Sequence, residues 1–233
     1  MGTTFSDVIT NNALIEISDV RLNEELEQNP AAFMWKMAAY LKEGIPLFKH
    51  PAEAKSWLSY TDAAYEQGSF NISPDDIAPY ALQGDTGYDM ASATIISYDK
   101  FNNPVFTPVT CTYDSETGVI AIPETIEGGG EVEVYYYTDG IFDNDLNNDI
   151  KRILGLCVQY VWTSRFVNDY VVQSAKVHDK DFNISSEANY NRAETDRLNR
   201  LRDHLYDEQR SLEQNLRYGQ TVTSNKKLTI PAE

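Results

Sequence analysis

The chain has few of the residues that build metal sites, disulfide frameworks and membrane spans. Its 233 residues include two cysteines and three histidines, none at the close spacing of a zinc ligand pair. No apolar run approaches the ~18 residues that a transmembrane helix needs. The N-terminus also lacks the charged-then-apolar pattern of a secretory signal, so we expect an intracellular protein without membrane contact.

Local patterns for catalysis or cofactor binding are equally scarce. Asp143–Asn147 begins like a calcium loop but lacks the glycine and glutamate that an EF-hand needs further along, so helix capping explains this segment better. Residues 128–130 are a glycine run flanked by Glu127 and Glu131, whose charges oppose phosphate binding. We therefore expect no enzyme activity and no catalytic, cofactor-binding or metal-binding residues.

Basic residues are scarce in the first two-thirds of the chain. Acidic residues outnumber basic ones 36 to 19, which gives a formal net charge of −17. Residues 1–90 carry 5 basic and 14 acidic side chains and residues 91–150 carry 1 and 11, whereas residues 151–233 carry 13 and 11. The acidic part would repel DNA phosphates, which argues against a nucleic-acid-binding function.

Helical signals are present before residue 90. Asn29-Pro30 joins a capping residue to a proline at the first helical position and predicts a helix over residues 31–43. Ser6 is predicted to cap a shorter helix, and a third is predicted around residues 52–60. The polar stretch 61–89, which is interrupted by glycine and proline, is predicted to be a long connection.

Between residues 91 and 138 the apolar pattern changes to alternation. Val132, Val134 and Tyr136 fall on one side of a predicted strand, and the intervening residues fall on the other. Residues 114–118 form a turn signal between two further strand segments. The sequence predicts a small antiparallel β-unit here, inserted between helical segments.

Two helices are predicted after this unit. The first has a wide apolar stripe, typical of a core-facing helix, formed by Leu146, Ile150, Ile153, Leu154, Cys157, Val158, Val161 and Trp162. A polar loop over residues 163–184 is predicted to precede a long charged helix that begins at Ser185 or Ser186 and ends at Gly219. That helix carries a narrow leucine row, typical of a packing seam, formed by Leu198, Leu201, Leu205, Leu212 and Leu216.

The predicted fold class is α+β: mainly an α-helical bundle with a long C-terminal helix and an inserted small antiparallel β-domain. Residues 1–90 and 139–218 are predicted to form the helical core. Residues 91–138 are the inserted β-unit, and residues 219–233 are an extended C-terminal tail.

The β-unit is rich in tyrosine, and this is the one feature of the sequence whose residue types suggest a binding function without any family resemblance. Aromatic rings can stack on sugars, so the β-unit could serve as a glycan- or surface-binding module. The ordinary alternative is that tyrosine is a favoured strand residue whose ring packs and whose hydroxyl stays hydrated. The residues concerned are Tyr98, Tyr113, Tyr135, Tyr136 and Tyr137.

Several short motifs follow one another in a defined order along the chain. They are the segment Tyr40–Phe48, the acidic start Phe142–Leu146, the apolar stretch Val158–Trp162, and a loop with Asp181-Phe182 and Ser186-Glu187-Ala188-Asn189 before the long helix. In this order they resemble the head–tail connector (adaptor) family of tailed bacteriophages. The resemblance covers residues 5–60 and 140–218, whereas the β-unit and the long tail depart from the compact family pattern.

The resemblance implies a structural virion protein, made in the host cytoplasm and located in the neck at the head–tail interface. Family subunits pack head-to-tail into a closed, usually dodecameric ring that binds the portal protein and further neck or tail proteins. DNA would pass through the lumen without specific binding. The leucine row is then predicted to be the subunit seam, and the tail to contact the portal or a neighbouring ring through Gln220, Lys226, Lys227, Leu228 and Ile230.

Overall fold

The computed structural model describes residues 2–17, 20–73, 75–126, 129–176 and 184–226. Within these ranges the protein has a helical layer, a four-stranded antiparallel sheet and a three-stranded antiparallel sheet, with the four-stranded sheet in the middle. No helix in the described ranges is both long and apolar enough to cross a membrane.

Helices lie at both ends of the chain. In order they are α1 (Phe5–Val8), a π-helix (Ile9–Ala13), α2 (Leu14–Ile17), α3 (Val20–Gln28), α4 (Pro30–Gly44), two 3₁₀ helices (Ile45–Leu47 and Ala52–Leu58), α5 (Asn148–Lys176) and α6 (Ile184–Lys226). The prediction of α4 is confirmed. Asn29 Oδ1 accepts a hydrogen bond from Ala32 N at 3.0 Å, as a helix cap does.

The strands lie between residues 60 and 142. In order they are β1 (Tyr60–Thr61), β2 (Ala64–Ile72), β3 (Tyr80–Gln83), β4 (Met90–Tyr98), β5 (Pro104–Val109), β6 (Thr112–Tyr113), β7 (Val119–Ile122), β8 (Gly130–Thr138) and β9 (Ile141–Phe142). They pair antiparallel in the orders β2-β8-β4-β5, β3-β7-β6 and β1-β9. The predicted hairpin that ends in Val119–Ile122 is confirmed as β6–β7.

The predicted mainly helical bundle with a small β insertion is wrong. The protein is α+β, but in the described ranges its strands form three antiparallel sheets that begin at Tyr60 rather than at Ala91. The stretch predicted to be a connection contains β2 and β3. β2 has weak apolar alternation of its own, yet all nine of its residues pair with β8. Tertiary pairing therefore outweighs the weak strand propensity of this segment.

Both long helices extend further than predicted. α5 continues through the predicted loop to Lys176, and α6 passes Gly219 and ends at Lys226. A glycine inside a helix costs only ~1 kcal/mol, which a long helix tolerates. The chain is therefore helical, not extended, from 219 to 226, while residues 177–183 and 227–233 lie outside the described ranges.

Cap residues show where local signals were read correctly and where they were not. Thr4, not Ser6, supplies the side-chain cap of α1. Ser6 Oγ instead donates to Asp139 Oδ2 at 2.5 Å and so ties α1 to the residue after β8. The capping explanation for the calcium-like segment is confirmed, because Asn147 Oδ1 accepts a hydrogen bond from Ile150 N at 2.9 Å.

Two hydrophobic clusters share the four-stranded sheet. The helical core, between the helices and one sheet face, is centred on Phe5, Met37, Leu41, Ile150 and Leu154. The sandwich core, between the two larger sheets, contains Ile72, Ile120, Ile122, Val132, Val134 and Tyr136. Tyr135 and Tyr137 of β8 contact the helical core, so the predicted two faces of this strand are confirmed.

Helix α5 approaches two neighbouring helices closely at glycines. A Cβ at Gly155 would lie 2.8 Å from Asn12 Cβ, and one at Gly44 would lie 3.0 Å from Cys157 Cβ. Cys157 is fully buried there, and burial raises the pKa of its thiol. α5 is therefore the central helix of the helical core, and its placement decides where α6 packs.

Candidate functional site

His50 and His204 are exposed and each lies near a glutamate. The described residues contain no group of three or more histidine, cysteine, aspartate or glutamate side chains that could hold a metal ion. His50 Nδ1 lies 3.5 Å from Glu213, and His204 Nε2 lies 4.0 Å from Glu208. His178 lies outside the described ranges.

The antiparallel α5–α6 pair is joined to the body along one side. Arg152 of α5 makes a two-pronged ion pair with Glu208 of α6, and the hydrogen bonds from Arg152 lower the pKa of Glu208. Toward the body, α5 buries most apolar side chains of 150–161, and α6 buries Leu205 and Leu212. This packing gives the pair a fixed orientation relative to the sheets.

The predicted leucine row divides into two parts. Leu205 and Leu212 lie in the helical core of their own chain, and Leu216 packs against it. Leu198 and Leu201 are only half-buried. Leu205 and Leu212 are therefore unavailable to a neighbouring subunit in this conformation, and the subunit-seam prediction stays with the other members of the row.

A buried glutamine, not predicted from the sequence, fixes α6 to the body. Gln209 Oε1 accepts hydrogen bonds from Lys49 N at 2.7 Å and His50 N at 3.0 Å, and its Nε2 donates to Leu47 O at 3.0 Å. The side chain is fully buried, and these bonds satisfy three backbone groups. Gln209 lies four residues after Leu205, on the same face of the helix, and this spacing was the sequence signal that the glutamine is buried.

The residues predicted to contact the portal are partly described. Gln220 and Lys226 lie on the last part of α6, whereas Lys227, Leu228 and Ile230 lie outside the described ranges. Because α6 is helical over this range, Gln220 and Lys226 lie about 9 Å apart along the helix axis. Their role in binding a portal stays a prediction.

The five tyrosines predicted to form a stacking platform do not share one surface. Tyr136 and Tyr137 are buried on opposite faces of β8. Tyr113 packs edge-to-face on Tyr136, with ring centroids 5.9 Å apart. Tyr135 lies on the helix side of the sheet, and Tyr98 is the one of the five that is mainly exposed. The five tyrosines therefore form no single platform, because adjacent residues of a strand face opposite sides, and their packing agrees with the ordinary alternative for strand tyrosines.

An exposed apolar cluster at the end of the β4–β5 hairpin was not predicted. This hairpin tip consists of Tyr98 (62% exposed), Phe101 (73%), Val105 (43%) and Phe106 (56%). Tyr98 and Phe106 lie on one face of the hairpin and Val105 on the other. Exposed apolar side chains that lie together, as those of Tyr98 and Phe106 do, mark interaction sites on globular proteins. Three aromatic residues within nine positions, on either side of a turn sequence, were the available signal.

Asp99 holds the turn of the hairpin tip. Its carboxylate accepts hydrogen bonds from Asn103 N at 2.8 Å, Asn103 Nδ2 at 3.0 Å and Phe101 N at 2.8 Å. These bonds, those from Asn103 foremost, hold the pKa of Asp99 below its usual range. Asn102 has a φ of 62°, which asparagine adopts more readily than most residues. The tip is therefore a defined protrusion.

The outer edge of β5 is closed to strand addition. Alternate residues of a strand direct their backbone N–H groups to the same lateral edge of the strand. In β5 one edge therefore belongs to Pro104, Phe106 and Pro108, and the other to Val105 and Thr107. Proline has no N–H to give to a ladder, so the side with the prolines faces away from β4. A partner would meet the side chains of the hairpin tip rather than extend the sheet.

A concave surface lies at the base of the same hairpin. This base cavity has a volume of about 370 Å³, and its lining includes Glu27, Pro30, Ala91, Val109 and Cys111. Cys111 is half-buried there, and burial raises the pKa of its thiol. One β-hairpin therefore carries both a protrusion and a concavity.

Three surfaces of the described residues are thus candidates for partner binding: the half-buried leucines Leu198 and Leu201, the hairpin tip and the base cavity. The first was predicted from the sequence, and the other two were not. A scan against protein-family models, a search of curated proteins and a search of solved structures each found no match to this chain.

Proposed function

We propose that this chain is a structural head–tail connector (adaptor) protein that forms an oligomeric ring beneath the portal of a tailed phage. In that role it joins capsid to tail and extends the DNA channel. The observation that carries the proposal is the α5–α6 pair, which directly follows the Phe142–Leu146 motif. Phe142 is fully buried beside Phe5, with ring centroids 5.0 Å apart, so this motif anchors the pair in the helical core.

The length of α6 supports a role in contacts between subunits. Its 43 residues span about 65 Å, whereas the section from Leu205 to Leu212, which holds its buried leucines, covers about 10 Å. Among the side chains of α6 that the structure describes, those of 192–204 are exposed or half-buried, so this part of the helix offers surface for contact with another subunit. Leu198 and Leu201 lie there among charged residues, an arrangement suited to a heterologous interface that closes into a ring.

The charge distribution supports a channel that does not hold DNA. Residues 91–150 carry 11 acidic side chains and 1 basic side chain. Proteins gain most of their affinity for DNA by neutralising phosphates, so an acidic lumen would let DNA pass without specific binding.

Mass photometry and negative-stain microscopy of the purified chain, alone and with the portal protein of the same phage, test the proposal. We expect closed rings, either free or on portal particles, because docking can drive assembly. A chain that stays monomeric and leaves the portal unbound would contradict the connector function. Deletion of residues 220–233 should weaken portal binding, and unchanged docking would remove the tail from the portal interface.

A matched pair of charge variants sharpens this test. Leu201→Glu places a carboxylate on the half-buried part of the leucine row, and Asn199→Glu adds the same charge at an exposed position of the same helix. The first should reduce ring formation and the second should not. Thermal unfolding of both variants controls for folding. Equal ring formation by the two would remove Leu201 from the subunit contact.

A further inference from the structure

The hairpin tip and the base cavity lie at opposite ends of one β-hairpin. From Val109 at the base to Phe101 at the tip the ribbon spans about eight residues, or about 25 Å. Hydrogen bonding between β4 and β5 keeps this ribbon extended, with pairs from Ala93↔Val109 to Tyr98↔Pro104. The tip therefore cannot reach the cavity of its own chain, and the two surfaces can meet only between copies.

We propose that the hairpin tip of one copy binds in the base cavity of a second copy of this chain. The inference rests on the proposed function because both require that the chain assembles with itself. The contact joins two different surfaces, so it repeats from copy to copy and closes into a ring when the rotation permits.

Charge favours a second copy as the occupant. Copies with a net charge of −17 repel each other wherever acidic surfaces meet. The hairpin from Ser97 to Thr110 carries one acid, Asp99, and one base, Lys100. Among the described residues that line the base cavity, Glu27 is the one charged side chain. Docking would join two surfaces of low charge and bring Lys100 toward a carboxylate of opposite sign.

Size and chemistry of the two surfaces also match. A volume of about 370 Å³ lies within the range of pockets that hold small ligands, and apolar side chains of Pro30, Ala91 and Val109 contribute to the walls. Phe101 is the most exposed member of the hairpin tip, and an aromatic side chain that fills a pocket is a common centre of binding energy. Since prolines close the outer edge of β5, side chains must make the contact.

Disulfide cross-linking tests this contact, because Cys111 already lines the base cavity. Lys100→Cys places a second thiol on the hairpin tip beside Phe101 and keeps the aromatic side chains of the tip, and oxidised glutathione serves as the oxidant. Head-to-tail docking should give disulfide-linked dimers, trimers and longer ladders on a non-reducing gel. The double variant Lys100→Cys, Cys111→Ser should lose every cross-linked band, the dimer included. Cys157 is fully buried and should not react.

Three results of the cross-linking experiment would overturn the inference. The first is the absence of any ladder. The second is a single variant that gives only dimers, with the same dimers in the double variant, because such dimers join two hairpin tips. The third is a ladder of equal yield from Ile77→Cys, an exposed position (87%) outside the β4–β5 hairpin, which would show that Cys111 is reached without specific docking.

A charge variant separates this inference from the proposed function. Phe101→Asp combined with Phe106→Asp should weaken self-association about tenfold or more in mass photometry, with thermal unfolding unchanged because both residues are exposed. Rings that form from this variant at wild-type concentrations would overturn the tip–cavity contact and leave the connector function standing. A ladder from Lys100→Cys, together with a wild-type chain that forms no ring and does not bind the portal, would support the contact and contradict the function.

Discussion

The leucine row of α6 and the hairpin tip of β4–β5 are two apolar clusters with opposite surroundings. In the sequence both are apolar residues among polar ones. Leu205 and Leu212 are 2% and 4% exposed, whereas Phe101 and Phe106 are 73% and 56% exposed. The two leucines share a core with the buried residues of α5, and the segment 47–50 binds Gln209 between them, while the tip lies at the end of the sheet.

This difference shows that an apolar cluster predicts a contact with another molecule only after the chain's own elements have been placed. Burial of a leucine side chain contributes ~1.5–3 kcal/mol to folding, so the buried part of the row stabilises a single chain. The hairpin tip makes no such contribution, and an exposed cluster of this kind favours a partner. Equivalent substitutions in the two clusters should therefore have different consequences.

The largest expected effect on stability comes from Leu205→Ala. The substitution removes apolar contacts and leaves a cavity, so the free energy of unfolding should fall by about 3 kcal/mol. Urea denaturation followed by circular dichroism measures it. Phe101→Ala is the matched control: it deletes a larger side chain at an exposed position and should stay within about 0.5 kcal/mol of the wild type. Equal losses would contradict the distinction between the two clusters.

Gln209→Ala should have the second largest effect. It leaves the N–H groups of Lys49 and His50 and the carbonyl of Leu47 without their partners, at a cost of about 2 kcal/mol. Hydrogen exchange of the Lys49 and His50 amides should become faster. Gln214→Ala, at an exposed position of the same helix, should alter neither stability nor exchange. Unchanged exchange in the Gln209 variant would show that water replaces the side chain.

Glu208→Gln breaks the ion pair between α5 and α6 and should have a smaller effect. Both partners are partly exposed, so the expected loss at neutral pH is about 0.5–1 kcal/mol. Arg152 lowers the pKa of Glu208, so this stabilisation is present above the usual glutamate value of about 4.3 and is lost as pH falls through the lowered pKa.

The wild type and the Glu208→Gln variant should therefore differ in urea denaturation at pH ~7 and converge as pH falls through the lowered pKa of Glu208. Asp207→Asn, an exposed neighbour on α6, serves as the control for removal of one negative charge. A difference that persists in acid would show that the carboxylate charge is not its source.

The smallest effect on stability is expected in the hairpin tip, from Asp99→Ala. The variant frees the amides of Phe101 and Asn103, which should become more mobile by NMR, while the midpoint of thermal unfolding stays unchanged. Because hydrogen bonds lower the pKa of Asp99, the wild-type turn should stay ordered above about pH 4 and lose order as pH falls through the lowered pKa. A lowered unfolding midpoint would show that the tip does support the fold.

Local sequence signals predicted the elements whose causes are local. Asn29-Pro30 predicted α4, residues 114–118 predicted the β6–β7 turn, and alternation in 131–137 predicted the two faces of β8. Each signal is a cap, a turn or a period of two that depends on residues a few positions apart.

Non-local pairing decided the elements that the sequence failed to predict. β2 is a strand because β8 lies beside it, about sixty residues further along the chain. Ser6 has the composition of a cap, but the carboxylate of Asp139 binds its hydroxyl instead. The hairpin tip and the base cavity exist as surfaces only because the sheet places β5 at an edge, beside the start of α4.

The sequence by itself determined the acidic charge, the capped helices and the alternating strands, because these depend on residue types and near neighbours. Only the tertiary structure decided which apolar residues the fold covers, burying Leu205 and Tyr136 and leaving Phe101 exposed. The physical reason is that burial needs partners from distant parts of the chain. Gln209 meets Lys49 across 160 residues, and no local pattern encodes such a contact.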